Sequence, residues 1–276
     1  MPRAVTSDDP VSLPGTVQRD ITTRDGLAYR LLLGMPAEPA PPGGFPVLVL
    51  VDGNALFATA ATAARLQAGR SEVTGVGPAI VLGIGYPGDK PFDVERRQRD
   101  LLPVTDGADR FLDVIAGEIL PAVAAIAPLD PSRCALVGHS YGGLFALHTL
   151  FTRPGLFASY VASSPSIWWN DRAILATEEA FRARAGGHPG RLLIAVGEDE
   201  QAGAARTPPS RAQRLSMARM VDNAAEMAVR LQASGRVSCE SVVFPGENHV
   251  SVIPAMLSRA VAFALADLAM QRTAAA

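Results

Sequence analysis

The chain has 276 residues, 48% of them apolar, and nearly balanced charge, with 25 Lys and Arg against 27 Asp and Glu for a net of −2. That suffices for one large α/β domain or two small ones. The charges are dispersed without a basic block, which argues against nucleic acid or an anionic membrane surface as partner; no apolar run approaches a membrane span.

In chain order, Met1 to Gly15 is polar and Pro-rich, a flexible lead-in to a single domain over 16–276. Met1 to Pro14 lacks the apolar core of a signal peptide, so the expected location is cytoplasmic. Val17 to Thr22 and Leu27 to Leu33 flank Asp25-Gly26, a hairpin signal. Val47 to Val51 and Ala79 to Ile84 are continuous aliphatic runs, read as buried strands, with a helix over Ala55 to Gln67 between them. Pro91 to Pro103 is polar and Arg-rich and reads as a long surface loop. Asp106 caps a predicted helix with Phe111, Leu112, Ile115, Ile119 and Leu120 on its apolar face, kinked at Pro121. Tyr160 to Ser163 is a short strand, Asp171 to Ala185 a helix and Arg191 to Val196 a buried strand. A single long helix is predicted over Arg211 to Ala233, stopped by Gly235. A last strand, Val237 to Phe244, precedes a helix running to about Met270. Aliphatic strands alternating with helices imply an α/β fold with a mostly parallel sheet covered on both faces. The two cysteines, Cys134 and Cys239, sit in strand-like runs and read as free thiols; neither a disulfide, a metal site nor a cofactor is expected.

The stretch Gly138-His139-Ser140-Tyr141-Gly142 lies between an apolar run ending at Val137 and a helix-like run from Leu144 to Phe151. A bare G-x-S-x-G is a weak signal. Its placement between a strand and a helix makes it a nucleophile elbow of the α/β-hydrolase type, with Ser140 at the apex. A serine hydroxyl needs a base. Of the four histidines, His139 lies inside the elbow, His148 on the following helix and His188 in a Gly/Pro loop; His249 alone follows a late strand and precedes the last helix. Gly197-Glu198-Asp199-Glu200 follows another buried strand and supplies a carboxylate to orient the base. On an extended segment Glu198 and Glu200 face opposite ways, so one of the two reaches His249, with Glu200 somewhat favoured. The Tyr141 amide, and a second from the Asp52-Gly53-Asn54 turn, taken as Asn54, would hold an oxyanion.

The sequence resembles the esterase family of α/β hydrolases, and within it the enterobactin-type siderophore esterases. The resemblance is carried by Leu50-Val51-Asp52-Gly53-Asn54-Ala55-Leu56-Phe57, Gly83-Ile84-Gly85-Tyr86-Pro87, Arg96-Arg97 with Asp100 and Pro103, the elbow, Ser163-Ser164-Pro165-Ser166-Ile167-Trp168-Trp169-Asn170, Gly197-Glu198-Asp199-Glu200-Gln201 and Gly246-Glu247-Asn248-His249. It implies Ser140 as nucleophile, His249 as base and Glu200 as the acid, although some siderophore esterases depend mainly on a Ser–His pair. Trp168 and Trp169 cannot both face one core from an extended loop. With Arg96, Arg97, Arg99 and Tyr86 they are expected to bind a small-molecule ester whose acyl part is aromatic, such as a catecholate siderophore or a phenolic ester. The expected activity is carboxylic-ester hydrolysis through an acyl-enzyme. Acyl transfer to another alcohol on the same site, and a catalytically silent binding module, are the alternatives; the intact Ser140/His249 pair argues against silence.

Overall fold

The structure, a computed structural model, describes residues 11–103, 106–184, 190–203 and 209–267. Eight strands form one sheet: β1 (Thr16–Thr22), β2 (Ala28–Gly34), β3 (Phe45–Val51), β4 (Ile80–Gly85), β5 (Leu129–His139), β6 (Ser159–Ser163), β7 (Arg191–Gly197) and β8 (Ser238–Phe244). Their spatial order is β1-β2-β4-β3-β5-β6-β7-β8. β2 runs antiparallel to both β1 and β4; every other pairing is parallel. This is the α/β-hydrolase arrangement. The first hairpin closes at Asp25-Gly26 as expected, with Thr22 opposite Ala28.

Eleven helices are described: α1 (Gly53–Ala68), α2 (Ser71–Thr74), α3 (Val94–Leu101), α4 (Gly107–Val114), α5 (Leu120–Ala124), α6 (Tyr141–Thr152), α7 (Trp169–Arg172), α8 (Ile174–Ala183), α9 (Pro209–Ala218), α10 (Met220–Ser234) and α11 (Val252–Leu265). A π-helical turn, Ile115–Ile119, joins α4 to α5, so the bend expected at Pro121 begins a turn earlier. Strand residues alternate between two cores, as the two-residue strand period requires. Leu48, Leu50, Val137, Val161 and Leu193 pack against Leu56 and Ala60 of α1 and Met256 and Leu257 of α11. Val47, Val49, Leu136, Tyr160 and Ile194 pack against Phe111 of α4, Phe145 and Phe151 of α6, Phe181 of α8 and Leu231 of α10. α6 is buried continuously from Gly142 to Phe151 and is apolar nearly all round, because the sheet covers one side and α3 and α8 cover the others.

Three expectations are corrected. Pro91 to Pro103 is not a loop throughout: α3 forms within it, capped by the Asp93 carboxylate, which accepts the Arg96 N–H at 3.1 Å. Its inward positions are Arg97, Asp100 and Leu101, spaced for one helix face but mostly charged, so hydropathy hides them. The long helix expected over Arg211 to Ala233 is broken at Arg219, which takes φ 43° and separates α9 from α10; Gly235, at φ 62°, does close α10. Glu198 to Glu200 is a single turn of 3₁₀-helix rather than an extended segment. His188 and Met270 lie outside the described residues.

Where β5 turns into α6, the chain doubles back so tightly that a Cβ on Gly138 would sit 2.1 Å from the Gly142 carbonyl oxygen. Gly138→Ala should destabilise the fold by about 1–3 kcal/mol or more, because backbone rather than a flexible side chain must give way. Gly117, with nothing within 4 Å of an added Cβ, is the control; Gly117→Ala should be neutral or stabilising by about 0.5–1 kcal/mol. Urea unfolding of the two variants decides, and equal stabilities would contradict the close-approach argument.

Candidate active site

The turns that follow β3, β4, β5, β6, β7 and β8 lie at the carboxyl edge of the parallel sheet, where such folds collect their ligands. Ser140 holds φ 60° and ψ −114°, a left-handed conformation that costs a residue with a Cβ about 1–3 kcal/mol. Neighbours enforce it. The Ser140 N–H donates to Ser163 O at 2.9 Å, and its carbonyl accepts from Leu144 N at 3.0 Å and Ser166 N at 3.2 Å. The Tyr141 amide opens α6 and the Asn54 amide lies in the first turn of α1, positions that lack intrahelical acceptors. The Asn54 side chain ties that turn to the β4 loop: Oδ1 accepts Tyr86 N–H at 2.9 Å, and Nδ2 donates to Tyr86 O at 3.0 Å and Gly88 O at 3.1 Å.

His249 Nδ1 lies 2.6 Å from Glu200 Oε2, and the Glu200 carboxylate is almost fully buried. Its other oxygen accepts from Gly197 N at 2.7 Å and from the Ser164 hydroxyl at 2.6 Å. Glu198 points the other way and accepts the Gly246 N–H at 2.9 Å, while Asp199 N–H donates to Glu247 O at 2.9 Å. Both acidic side chains therefore act on the turn that carries His249, one on the ring and one on its backbone. A Cβ on Gly197 would meet Glu247 O at 2.3 Å, so this approach needs glycine. With Nδ1 engaged, His249 Nε2 is the ring nitrogen left for the nucleophile. In this structure Ser140 Oγ faces Ser166 Oγ at 3.4 Å and is not hydrogen-bonded to His249. His139 is not turned away from the site, as its place in the elbow suggested. Its ring lies 4.6 Å from that of His249, with Nδ1 3.1 Å from Ser163 Oγ. Burial, then the charges of His249 and Arg97, hold its pKa well below the usual histidine value, so it stays neutral.

Arg97 and Tyr86, expected at the substrate, are instead turned into the protein. Arg97 is 8% exposed. Its Nε donates to Asp52 Oδ1 at 2.7 Å and Nη2 to His139 O at 3.3 Å, between the rings of Phe92 and Tyr141. It thus links the β3–α1 turn to the elbow. Asp52 itself is buried with Oδ2 unpartnered, and this desolvation raises its carboxyl pKa against the pull of Arg97. The Tyr86 hydroxyl donates to Asp100 Oδ2 at 3.2 Å beside that of Tyr29 at 3.0 Å. Burial and the Asp100 charge push the Tyr86 phenol well above its ordinary pKa. Arg96 stays near the surface over the Tyr86 ring. The tryptophans divide: Trp168 is 40% exposed, whereas Trp169 packs partly on the core and lines a cleft with Gln98, Arg99, Asp106 and Arg110. Asp100 holds Arg99 at 2.7 Å and approaches Arg110 at 3.5 Å from beneath. Arg99 belongs to the Arg-rich stretch that the sequence offers to an anionic substrate; Arg110 escaped that reading, because the anchor common to both, Asp100, lies on a helix that reads as loop.

A parallel sheet of this order, an elbow with a strained serine and a histidine–carboxylate pair beside it define an α/β hydrolase. The family model described as "Putative esterase" matches residues 28–239, and the chain belongs to that family of carboxylic-ester hydrolases. It is 34% identical to the ferri-bacillibactin esterase BesA of Bacillus subtilis, over 92% of this chain and 91% of that one. It is 37% identical to the siderophore triacetylfusarinine C esterase of Aspergillus fumigatus, over 94% and 96%. Among solved structures, the siderophore hydrolase EstB of Aspergillus nidulans superposes with a TM-score of 0.86 at 34% identity, covering 95% of this chain and 98% of that one.

The placement of Arg97 separates it from its neighbour. Arg97→Ala strands the buried Asp52 carboxylate and should cost about 3–5 kcal/mol of stability, with a fall in turnover as the two turns loosen. Arg96→Ala, at a half-exposed side chain with Asp93 3.8 Å away and a buried, unpartnered Nη1, should cost less than about 1 kcal/mol. Urea unfolding of both variants checks this; similar losses would refute the buried link.

Proposed function

We propose that the chain hydrolyses siderophore esters through an acyl-enzyme formed on Ser140, with His249 as base and Glu200 as its acid. The observation that carries this is the 2.6 Å contact between His249 Nδ1 and the buried Glu200 carboxylate, beside the elbow. Glu200 holds the ring and stabilises its cation. Nε2 takes the Ser140 proton as Oγ attacks the ester carbonyl, the amides of Tyr141 and Asn54 receive the oxyanion, and the protonated imidazole returns its proton to the leaving alcohol. Water, deprotonated by the same nitrogen, then releases the acid. Ser140 Oγ must turn from Ser166 toward the imidazole; such bonds are often long in substrate-free sites and tighten in the reacting complex. Arg97 and Tyr86 serve as positioning groups; Trp168 and Arg96, which stay partly exposed, and Trp169, which lines the cleft with Arg99 and Arg110, are the residues proposed to meet the substrate. No helix among the described residues is long and apolar enough to cross a membrane, and free Cys134 and Cys239 fit a reducing cytoplasm.

Ser140→Ala should lose nearly all esterase activity while keeping its unfolding midpoint, and a fluorophosphonate should label the parent chain but not the variant. Retained hydrolysis by the alanine variant would remove the mechanism.

The acyl group proposed is aromatic and bears anionic oxygen. Trp169 offers a ring face, and Arg99 and Arg110 offer donors in the same cleft. Against a matched aliphatic acyl ester, the aromatic one should have the higher kcat/KM, and Trp169→Ala should erase about tenfold of that preference. No preference in the parent chain, or none lost in the variant, would leave a generic esterase.

A further inference from the structure

From the last residue of β6 to the start of α7 the chain carries serines at 163, 164 and 166, all of them buried. Ser163 faces His139, Ser166 faces Ser140, and Ser164 donates to Glu200 Oε1 at 2.6 Å. We propose that Ser164 is a positioning residue for Glu200, the outermost link of a chain Ser164–Glu200–His249–Ser140. This rests on the reading of Glu200 as the acid.

The terminal torsion of a glutamate is broad, so the carboxylate needs fixing before Oε2 can hold the imidazole in one plane. Two donors on Oε1, the Gly197 N–H and the Ser164 hydroxyl, supply that. Ser164 is held just as firmly. Its side chain is wholly buried, its N–H donates to Ala195 O at 2.6 Å, and its φ is +41°. That left-handed φ is unfavourable for a residue with a Cβ, and glycine would relieve it. What serine adds at this position is the hydroxyl, and the hydroxyl has one partner, Glu200.

A kinetic cycle on a p-nitrophenyl ester tests the link, using Ser164→Ala, Ser164→Gly, Glu200→Ala and the double variant Ser164→Ala/Glu200→Ala. Loss of a hydrogen bond to a charged group should lower kcat by about tenfold or more in either Ser164 variant, with KM within about twofold. Ser164→Gly should unfold at a higher temperature than Ser164→Ala, because glycine relieves the backbone strain while both lose the same hydroxyl; an equal loss of kcat in the two despite that difference in stability separates positioning from a structural role. In the double variant, removing the hydroxyl should change kcat by less than about twofold beyond Glu200→Ala, because a group acting through Glu200 has nothing left to act on. Parent-like kcat in both Ser164 variants, or losses that multiply in the double variant, would overturn the proposal. If Glu200→Ala itself keeps parent kcat, the assignment of the acid falls and this link with it. A Glu200 loss without a Ser164 loss overturns the link alone.

Discussion

The backbone of Ser140, at φ 60° and ψ −114°, is a conformation that no residue with a side chain adopts unaided, and the reactive end of the molecule is assembled around holding it. The register of β5 and β6 places Ser163 O where it accepts the Ser140 N–H, and Ser166 returns a hydrogen bond to the Ser140 carbonyl. Gly138 lets the arms of the turn close on each other. Arg97 then fastens the elbow to the neighbouring β3–α1 turn through His139 O and Asp52. The consequence is functional as well as structural. The two first-turn amides at Tyr141 and Asn54 belong to different helices, and their relative position depends on that guanidinium.

Buried carboxylates recur through this end of the sheet, and each is answered by fixed donors. Asp52 has Arg97; Asp100 has two tyrosine hydroxyls and Arg99; Glu200 has an amide, a hydroxyl and an imidazole. Carboxylates left unpaired in such surroundings would take up protons. The neutral state of His139 belongs to the same scheme. A cation there, 4.6 Å from the His249 ring, would oppose any positive charge on that ring. Burial keeps that charge from forming, while the ring still packs against the base.

The parts of this design that were legible from the sequence are those in which local residue type and structure agree. The elbow, the aliphatic strands, the hairpin at Asp25-Gly26 and the stop at Gly235 are of this kind. The pairing of Glu200 with His249 was within reach because both follow strand ends of a parallel sheet. What escaped was charged material facing inward. α3 buries Arg97 and Asp100, so its inner face has no hydrophobic period to read, and the anchoring of Arg97, Arg99 and Arg110 on buried carboxylates was hidden with it. The contact of His139 with His249 has no local signal, because only the fold of the β8–α11 turn brings the two rings together. The break at Arg219 has no local signal, since arginine carries no preference for a left-handed φ.

The positions of these groups also separate chemistry from selectivity. Ser140, His249 and Glu200 hang from strand ends whose register with their neighbours is fixed over the length of the sheet. The cleft beside Trp169 is made differently, from α3, the start of α4 and the short α7, and it is anchored from beneath by the Asp100 cluster. α7 itself contains Asn170 and Asp171 at positive φ, a left-handed conformation that asparagine and aspartate adopt more readily than other residues with a Cβ. Residues lining such a cleft can change without disturbing the register that sets the elbow, whereas a change at Asp52 or Arg97 disturbs the elbow directly. An esterase built this way can keep the elbow and its hydrogen bonds fixed while the residues that line the cleft beside Trp169 vary.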